Sequence, residues 1–148
     1  MEHQSQTATS DSTQGGRTVL TLLYTLFAIA AGSRALYQIA TRWEQAPLAY
    51  TLSTVAALVY LIACVGINRT SPSAWRITMG LCVFELVGVL VVGTLTLIYP
   101  ALFPDETVWS VYGQGYGFVP LVLPIIGIVW LMQPATRREY GMLPSTDT

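Results

Sequence analysis

The sequence predicts an all-α fold, a four-helix transmembrane bundle that runs up-down-up-down with both termini in the cytoplasm. Of the 148 residues, 53% are hydrophobic and only 10% are charged, whereas soluble domains carry about 25% charged residues. Four apolar segments each approach the ~20 residues that cross ~30 Å of hydrocarbon. The connections between them are short, which favours antiparallel neighbours. The chain therefore has the composition and the periodicity of one compact membrane domain.

The chain divides into a membrane domain and two short tails. Residues 1–16 are polar and of low complexity, and we expect them to form a disordered tail. The transmembrane domain occupies residues 17–134, and residues 135–148 form a cytoplasmic C-terminal tail. The predicted spans are about Thr18–Thr41, Leu48–Ile67, Arg76–Tyr99 and Tyr112–Met132.

The first span has an alternative interpretation as a cleaved signal peptide. Arg17 precedes an apolar run that contains Ala28-Ile29-Ala30, which resembles a cleavage site. A polar tail comes before the run, however, and the helical pattern continues to Ala40. We therefore interpret the segment as a span.

The arginines predict the orientation. One side of the bundle holds five of them: Arg17, Arg69, Arg76, Arg137 and Arg138. The other side holds Arg42 and, near the end of the first span, Arg34. Cytoplasmic loops carry the excess of positive charge, so the sequence predicts a multi-pass protein of the inner (plasma) membrane. Trp43 and Trp109 are expected at the outer interface, and Trp75 and Trp130 at the inner one.

Three spans carry stripes of small or polar residues at helical spacing, and we expect these stripes to face one another. The first stripe is Thr21, Thr25, Ala28 and Gly32; the second is Ser53, Ala57, Tyr60 and Cys64; the third is Leu81, Glu85, Gly88, Val92 and Thr96. Gly88, one turn after Glu85, would let a partner helix approach the carboxyl group.

The fourth span is interrupted by glycine and proline. Gly113, Gly115, Gly117, Pro120 and Pro124 predict a kinked or broken helix in its outer half. A short interfacial helix at about 105–111 is expected to precede it. The glycines do not form a potassium filter, because no Thr-Val pair precedes them and no pore helix is indicated. They do not form a dinucleotide fingerprint either, because no strand precedes them. They indicate close helix contact or local unwinding, and the alternative is a broken-helix binding site of the kind found in transporters.

Glu85 is the only acidic residue in the third span. A carboxylate at this depth costs about 2.5–3.5 kcal/mol on insertion scales, so it usually has a partner or a function. It is either a buried carboxyl group bonded to polar residues of other helices, or a proton-coupled site or ligand anchor. Tyr60 is a further polar candidate inside the membrane.

Arg34 is the candidate charged partner of Glu85. The two residues lie at levels that differ by about 10 Å along their helices, so a direct pair requires a helix offset. The alternative is that Arg34 reaches the outer surface, where Gln38 could join it together with Glu44 or Asp105.

Other chemistries are excluded or disfavoured by composition. His3 is the only histidine, and Cys64 and Cys82 form no CxxC motif, so we predict no metal, no cofactor and no catalytic set. The net charge of −1 offers no basic field for nucleic acid. The expected partners are the lipid bilayer and either another membrane protein or further copies of the chain.

Several motifs resemble a family of small four-span integral membrane proteins of high-GC Gram-positive (actinobacterial) bacteria. They are RALYQIAT at 34–41, APLAY at 46–50, FELVG at 84–88, YPALFPD at 99–105 and GYGFVP at 115–120. The resemblance covers about residues 17–132. It implies the architecture and the source, and it provides no catalytic residues to carry over.

The leading functional prediction is a non-enzymatic accessory or scaffold subunit of an envelope complex. The alternative is a small homo-oligomeric proton-coupled transporter or channel that uses Glu85 and the broken fourth span. A membrane enzyme is the third hypothesis, with only a few polar residues in the outer loop to serve it: Asp105, Glu106, Tyr112 and Gln114.

Overall fold

The computed structural model describes residues 2–145, with side chains from residue 4 onward. The α-helices are α1 (Glu2–Arg42), α2 (Pro47–Ile67), α3 (Pro72–Ile98), α4 (Val119–Met132) and α5 (Pro134–Glu139). Short 3₁₀ helices occupy Trp43–Gln45, Pro100–Leu102 and Ser110–Tyr116. Residues 2–145 contain no strand, so the predicted all-α class is confirmed. Residues 146–148 of the predicted C-terminal tail lie outside the described residues.

Three of these helices, α1, α2 and α3, are long and apolar enough to cross a membrane. Helix α4 has 14 residues and a length of about 21 Å, which is less than the hydrocarbon thickness. It makes a fourth span only together with Ser110–Tyr116, from which it is bent by 98°. The outward surface bears large apolar side chains such as Leu22 and Leu36, which are 65% and 70% exposed. The described residues therefore contain three helices that could span a membrane, or four spans if the bent pair counts as one.

Helices α1 and α2 pack antiparallel through the stripes predicted for the first two spans. The Thr25 hydroxyl lies 3.2 Å from Cys64 Sγ, and Asn68 Nδ2 donates to Thr21 Oγ1 at 3.0 Å. Further along, Gly32 lies beside Ala57. Small side chains let the two backbones approach closely, which is how helices associate in lipid.

The face of α1 that enters the core is a different one. Leu20, Tyr24, Phe27, Ala31 and Ala35 are all buried. Their spacing of three or four residues places them on a single face of the helix. This face contacts the aromatic and polar side chains of the bundle interior.

Helix α3 begins with a side-chain cap and lies antiparallel to α4. Ser71 Oγ accepts from the backbone N–H of Ala74 at 3.2 Å, which satisfies one of the unpaired donors at the helix start. Near this end Trp75 Nε1 donates to the Leu131 carbonyl at 2.8 Å. Further along α3, Cys82 Sγ faces Gly127 of α4.

The segment at 1–16, predicted as a disordered tail, is helical from Glu2 onward in the structure. Trp130 Nε1 donates to the Thr13 carbonyl at 3.2 Å, and the indole ring covers Gly16. Several hydroxyls also bond back to carbonyls one turn earlier, as Thr9 Oγ1 does to Ser5 O at 2.8 Å. The contact with Trp130 joins residues far apart in the chain, so composition does not reveal it.

The C-terminal segment docks against the same end of the bundle, here called the terminal end because Arg17 of α1 and helix α5 meet there. Arg17 and Glu139 form an ion pair at 2.8 Å. The buried Tyr140 hydroxyl lies 3.0 Å from Gly66 O and 2.8 Å from Ile67 O, where it can donate to either carbonyl. These are among the last carbonyls of α2, which have no partner within their own helix.

The interhelical segment, residues 99–118 between α3 and α4, is folded against α3. Val111, Tyr112, Gly113, Gly117 and Phe118 all have positive φ, between 47° and 82°. A left-handed conformation costs a non-glycine residue about 1–2 kcal/mol, and the β-branched Val111 is an outlier. Surrounding contacts must therefore impose this conformation.

Gly93 makes one of these contacts possible. A Cβ atom at this position would lie 2.7 Å from the backbone nitrogen of Tyr112. By contrast, a Cβ at Gly80 of the same helix would meet nothing within 4 Å. The two glycines form a matched pair for mutation.

We expect Gly93→Ala to destabilise the protein by about 2 kcal/mol, because backbone must move to admit the methyl group. Gly80→Ala should instead stabilise it, by up to about 1 kcal/mol, through helix propensity. Unfolding by sodium dodecyl sulfate, followed by tryptophan fluorescence, measures both. Equal effects of the two substitutions would show that the interhelical segment does not pack on Gly93.

Candidate functional site

Five side chains form a polar and aromatic group in the bundle, here called the interior cluster: Tyr24, Tyr60, Cys82, Glu85 and Trp109. Tyr24 donates to Glu85 Oε2 at 3.0 Å, and its hydroxyl lies 3.5 Å from Cys82 Sγ. Trp109 Nε1 donates to the Tyr60 hydroxyl at 3.0 Å. The ring centroids of Tyr24 and Tyr60 lie 6.1 Å apart. The cluster thus links α1, α2, α3 and the interhelical segment.

The carboxyl group of Glu85 has one oxygen without a hydrogen-bond partner among the described residues. The residue is completely buried, and its Oε1 atom has no partner among the described residues. Buried polar atoms are rarely left in this state. The carboxyl group therefore has one oxygen held by Tyr24 and one oxygen whose hydrogen-bonding capacity is unused among the described residues.

Gly88 has a different neighbour from the one that its position predicts. The sequence predicts that a partner helix packs on Gly88 and approaches the Glu85 carboxyl group. In the structure the indole of Trp109 covers it, and a Cβ at Gly88 would lie 2.7 Å from Trp109 Cζ3. Trp109, which the sequence places at the outer interface, is only 2% exposed and packs inside the bundle. The interhelical segment reaches inward at this point and takes the place of a helix.

Arg34 does not pair with Glu85. Its Nη1 atom donates to the Tyr116 hydroxyl at 3.0 Å, and its Nη2 lies 3.4 Å from the Glu106 carbonyl and 3.9 Å from Asp105 Oδ1. The axial offset of about 10 Å is not closed. The structure instead places Arg34 beside Asp105, one of the two acidic residues named in the alternative prediction.

Asp105 is the centre of a second group at the end opposite the termini, the Asp105 cluster. Its Oδ2 atom accepts from Gln38 Nε2 at 3.2 Å and from the Tyr50 hydroxyl at 3.0 Å. Its Oδ1 accepts from the Glu106 N–H at 2.9 Å. With Arg34 beside it, this one carboxylate ties the interhelical segment to both α1 and α2. Gln38 Oε1 is buried without a partner among residues 4–145.

The glycines of the broken fourth span have distinct roles. Gly113, at φ +82°, lies against the Pro120 ring, where a Cβ would come within 2.8 Å. Gly117, at φ +63°, ends the 3₁₀ helix, and its N–H bonds Gln114 O at 3.2 Å. Gly115 lies beside the Glu106 side chain. Only Gly113 and Gly117 use a conformation that favours glycine.

The two prolines differ as well. Pro120 is in the first turn of α4, where its missing N–H costs nothing. The break expected in the outer half of the fourth span lies just before Pro120, since α4 begins at Val119. Pro124 does lie inside α4, where it withholds a donor from the carbonyl four residues earlier.

Sequence reasoning missed Tyr24 and Trp109 and underrated Asp105. Tyr24 shares helical spacing with Leu20 and Phe27, a signal that the small-residue stripe obscured. Trp109 follows a polar, proline-containing stretch that is typical of a surface loop. Nothing local indicates that the chain turns inward there.

Other features limit what the site can do. Within residues 4–145 no group of three or more His, Cys, Asp or Glu side chains could hold a metal ion.

The chain matches no protein-family model, no curated protein and no solved structure. The resemblance to small actinobacterial membrane proteins stays a prediction.

The hydrogen bond between Tyr24 and Glu85 can be tested with a double-mutant cycle. We expect Tyr24→Phe and Glu85→Leu to show a coupling of about 1 kcal/mol, because each substitution removes one partner of a hydrogen bond in the bundle interior. Unfolding in detergent of the single and double mutants measures it.

The matched control is the cycle of Arg34→Leu with Glu85→Leu, which should be additive within about 0.5 kcal/mol. Coupling in the control cycle and additivity in the tyrosine cycle would contradict the arrangement described above.

Proposed function

We propose that the chain is a four-span protein of the bacterial inner membrane with both termini in the cytoplasm. In this proposal it is a non-enzymatic accessory or scaffold subunit of a larger membrane complex in the envelope. Its partner is another membrane protein, which it meets within the bilayer.

A lipid-facing groove between α1 and α2 carries the proposal. Its volume is about 260 Å³, and it is lined by Ala28, Ile29, Gly32, Ala57, Leu58 and Leu61. The floor consists of alanine and glycine, whereas leucine and isoleucine form the walls. Small residues at such a surface let a further helix approach the backbone and gain dispersion contacts.

The interior of the bundle supports a scaffold role. Asp105 and Tyr24 use their polar atoms to hold elements of the chain to one another. A bundle fixed in this way presents a constant outer shape, which is what an accessory subunit contributes to an assembly.

The charge distribution supports the orientation. Arg17, Arg69, Arg76, Arg137 and Arg138 lie at or near the terminal end. At the other end Arg34 lies within 3.9 Å of Asp105, so part of its charge is offset. The positive-inside rule favours a cytoplasmic location for the arginine-rich end.

Pull-down in mild detergent, followed by mass spectrometry, tests the accessory-subunit proposal. We expect Gly32→Leu to lower recovery of the specific partner by about tenfold, because the new side chain fills the groove. The matched control is Val87→Leu, at a lipid-facing position of α3 that is 53% exposed, and it should retain the partner.

Two outcomes would overturn the proposal. One is recovery of the protein alone at every detergent strength. The other is an identical set of partners from Gly32→Leu and Val87→Leu.

The second candidate function is a small homo-oligomeric transporter or channel coupled to protons. The open Oε1 position of Glu85 favours it, as does the 98° bend beside α4, since broken helices form substrate sites in transporters. In this model Glu85 takes up and releases the coupling proton.

Proton flux in proteoliposomes separates the two functions. The transporter model predicts flux in the wild type that Glu85→Gln abolishes, because an amide cannot carry the proton. Glu106→Gln is the matched control and should retain flux, since Glu106 lies outside the interior cluster. Flux that is unchanged in Glu85→Gln would remove Glu85 from this role.

A further inference from the structure

A second groove opens at the terminal end, between the last turns of α2 and the first turns of α3. Its volume is about 270 Å³. Arg69, Ser71 and Ser73 line its upper part, and Ile62, Val65 and Ile77 line its lower part. Ile62 lies about 8 Å before the end of α2 at Ile67, and Arg69 follows in the connection to α3. The groove is therefore polar at one end and apolar at the other.

The upper part of the groove is rich in hydrogen-bond donors. Arg69 is exposed, and no acidic side chain lines the groove. The Ser71 oxygen accepts from Ala74, which leaves its O–H able to donate, and Ser73 adds a second hydroxyl.

The start of α3 adds to this positive potential. Pro72 has no N–H, while the N–H groups of Ala74 and Trp75 are bonded to Ser71. Ser73 N–H is thus the first-turn donor that has no partner among the described residues. The helix dipole also places partial positive charge here. Arg76, exposed one turn after Ser73, extends the cationic surface.

The lower part of the groove is a surface for a hydrocarbon chain. Ile62, Val65 and Ile77 are 47%, 46% and 54% exposed. They lie on α2 and α3, which are both long and apolar enough to span a membrane. In a bilayer these side chains contact acyl chains just below the headgroup level.

We propose that this groove is a binding site for an anionic phospholipid. The lipid phosphate lies among Arg69, the Ser71 and Ser73 hydroxyls and the Ser73 N–H, and one acyl chain follows Ile62, Val65 and Ile77. A phosphate is the group that suits both a helix N-terminus and a guanidinium. The attached hydrocarbon explains why the polar part continues into an apolar channel, which a free phosphate ion would leave empty.

Headgroup charge should decide selectivity. The cation of phosphatidylcholine would face Arg69 and the positive end of α3, whereas phosphatidylglycerol has no such cation. An arginine near the membrane surface contributes about 1 kcal/mol to anionic lipid binding. The site is separate from the α1–α2 groove, so it does not depend on the proposed accessory role.

Native mass spectrometry of the full chain tests the proposal, with phosphatidylglycerol and phosphatidylcholine added in equal amounts to detergent micelles. We expect the wild type to retain phosphatidylglycerol preferentially. Arg69→Gln should lower that retention about fivefold, and Ser73→Ala should lower it less. The matched control is Arg138→Gln, which removes an exposed arginine at the same end but outside the groove. An excess of inorganic phosphate should leave the retained lipid unchanged.

Three results would overturn the site. The wild type could retain both lipids equally. Arg69→Gln and Arg138→Gln could lower retention equally, which would indicate diffuse surface charge. Inorganic phosphate could displace the lipid, which would indicate an anion site with no contribution from the acyl chain.

Discussion

The structure depends on how the interhelical segment satisfies its backbone hydrogen bonds where it folds into the bundle. Buried backbone N–H and C=O groups need hydrogen-bond partners. Thr107 N–H bonds the Ser110 hydroxyl at 2.8 Å, Trp109 N–H the Thr107 hydroxyl at 3.0 Å, and Val111 N–H the Thr96 hydroxyl at 2.9 Å. Hydroxyl side chains thus replace the carbonyls that a regular helix would supply. The segment can therefore fold inward and complete a bundle whose fourth helix, α4, is short.

The rest of the bundle is arranged around this segment. Gly88 and Gly93 remove side chains from α3 where Trp109 and Tyr112 approach. Asp105 fixes the other side of the segment to α1 and α2. The positive φ angles of Val111 and Tyr112 are a local cost that these contacts offset. Glu85 belongs to the same arrangement, since its partner Tyr24 packs on Tyr60, to which Trp109 donates.

Composition and apolar periodicity were sufficient to predict the all-α class, the positions of α2 and α3 and the contact between the first two stripes. These properties follow from local sequence, since a helix that crosses a bilayer must be apolar outside and must pair its own backbone hydrogen-bonding groups. The partner of Glu85 could not be predicted, and the sequence left the partner of Arg34 open between Glu85 and the group that contains Asp105. Both partners depend on where the interhelical segment lies, and that position is set by contacts between distant residues such as Gly93 and Tyr112. Pro120 shows the same limit, because a proline starts or breaks a helix depending on a boundary that tertiary contacts decide.

Donors and acceptors are distributed unevenly between the interior and the surface. The interior side chains are mostly bonded to one another, with Glu85 Oε1 and Gln38 Oε1 among the exceptions. At the terminal end, by contrast, Arg69 is exposed and the Ser73 N–H has no partner among the described residues, in a groove that also has apolar side chains in its lining. A polar group left unpaired inside the hydrocarbon is costly, whereas one at the lipid surface can bind what the membrane supplies. The internal polarity therefore holds the shape of the bundle, and the exposed polar groups at the terminal end are those of the proposed lipid site. Glu85 Oε1 and Gln38 Oε1 are among the interior atoms that depart from this division.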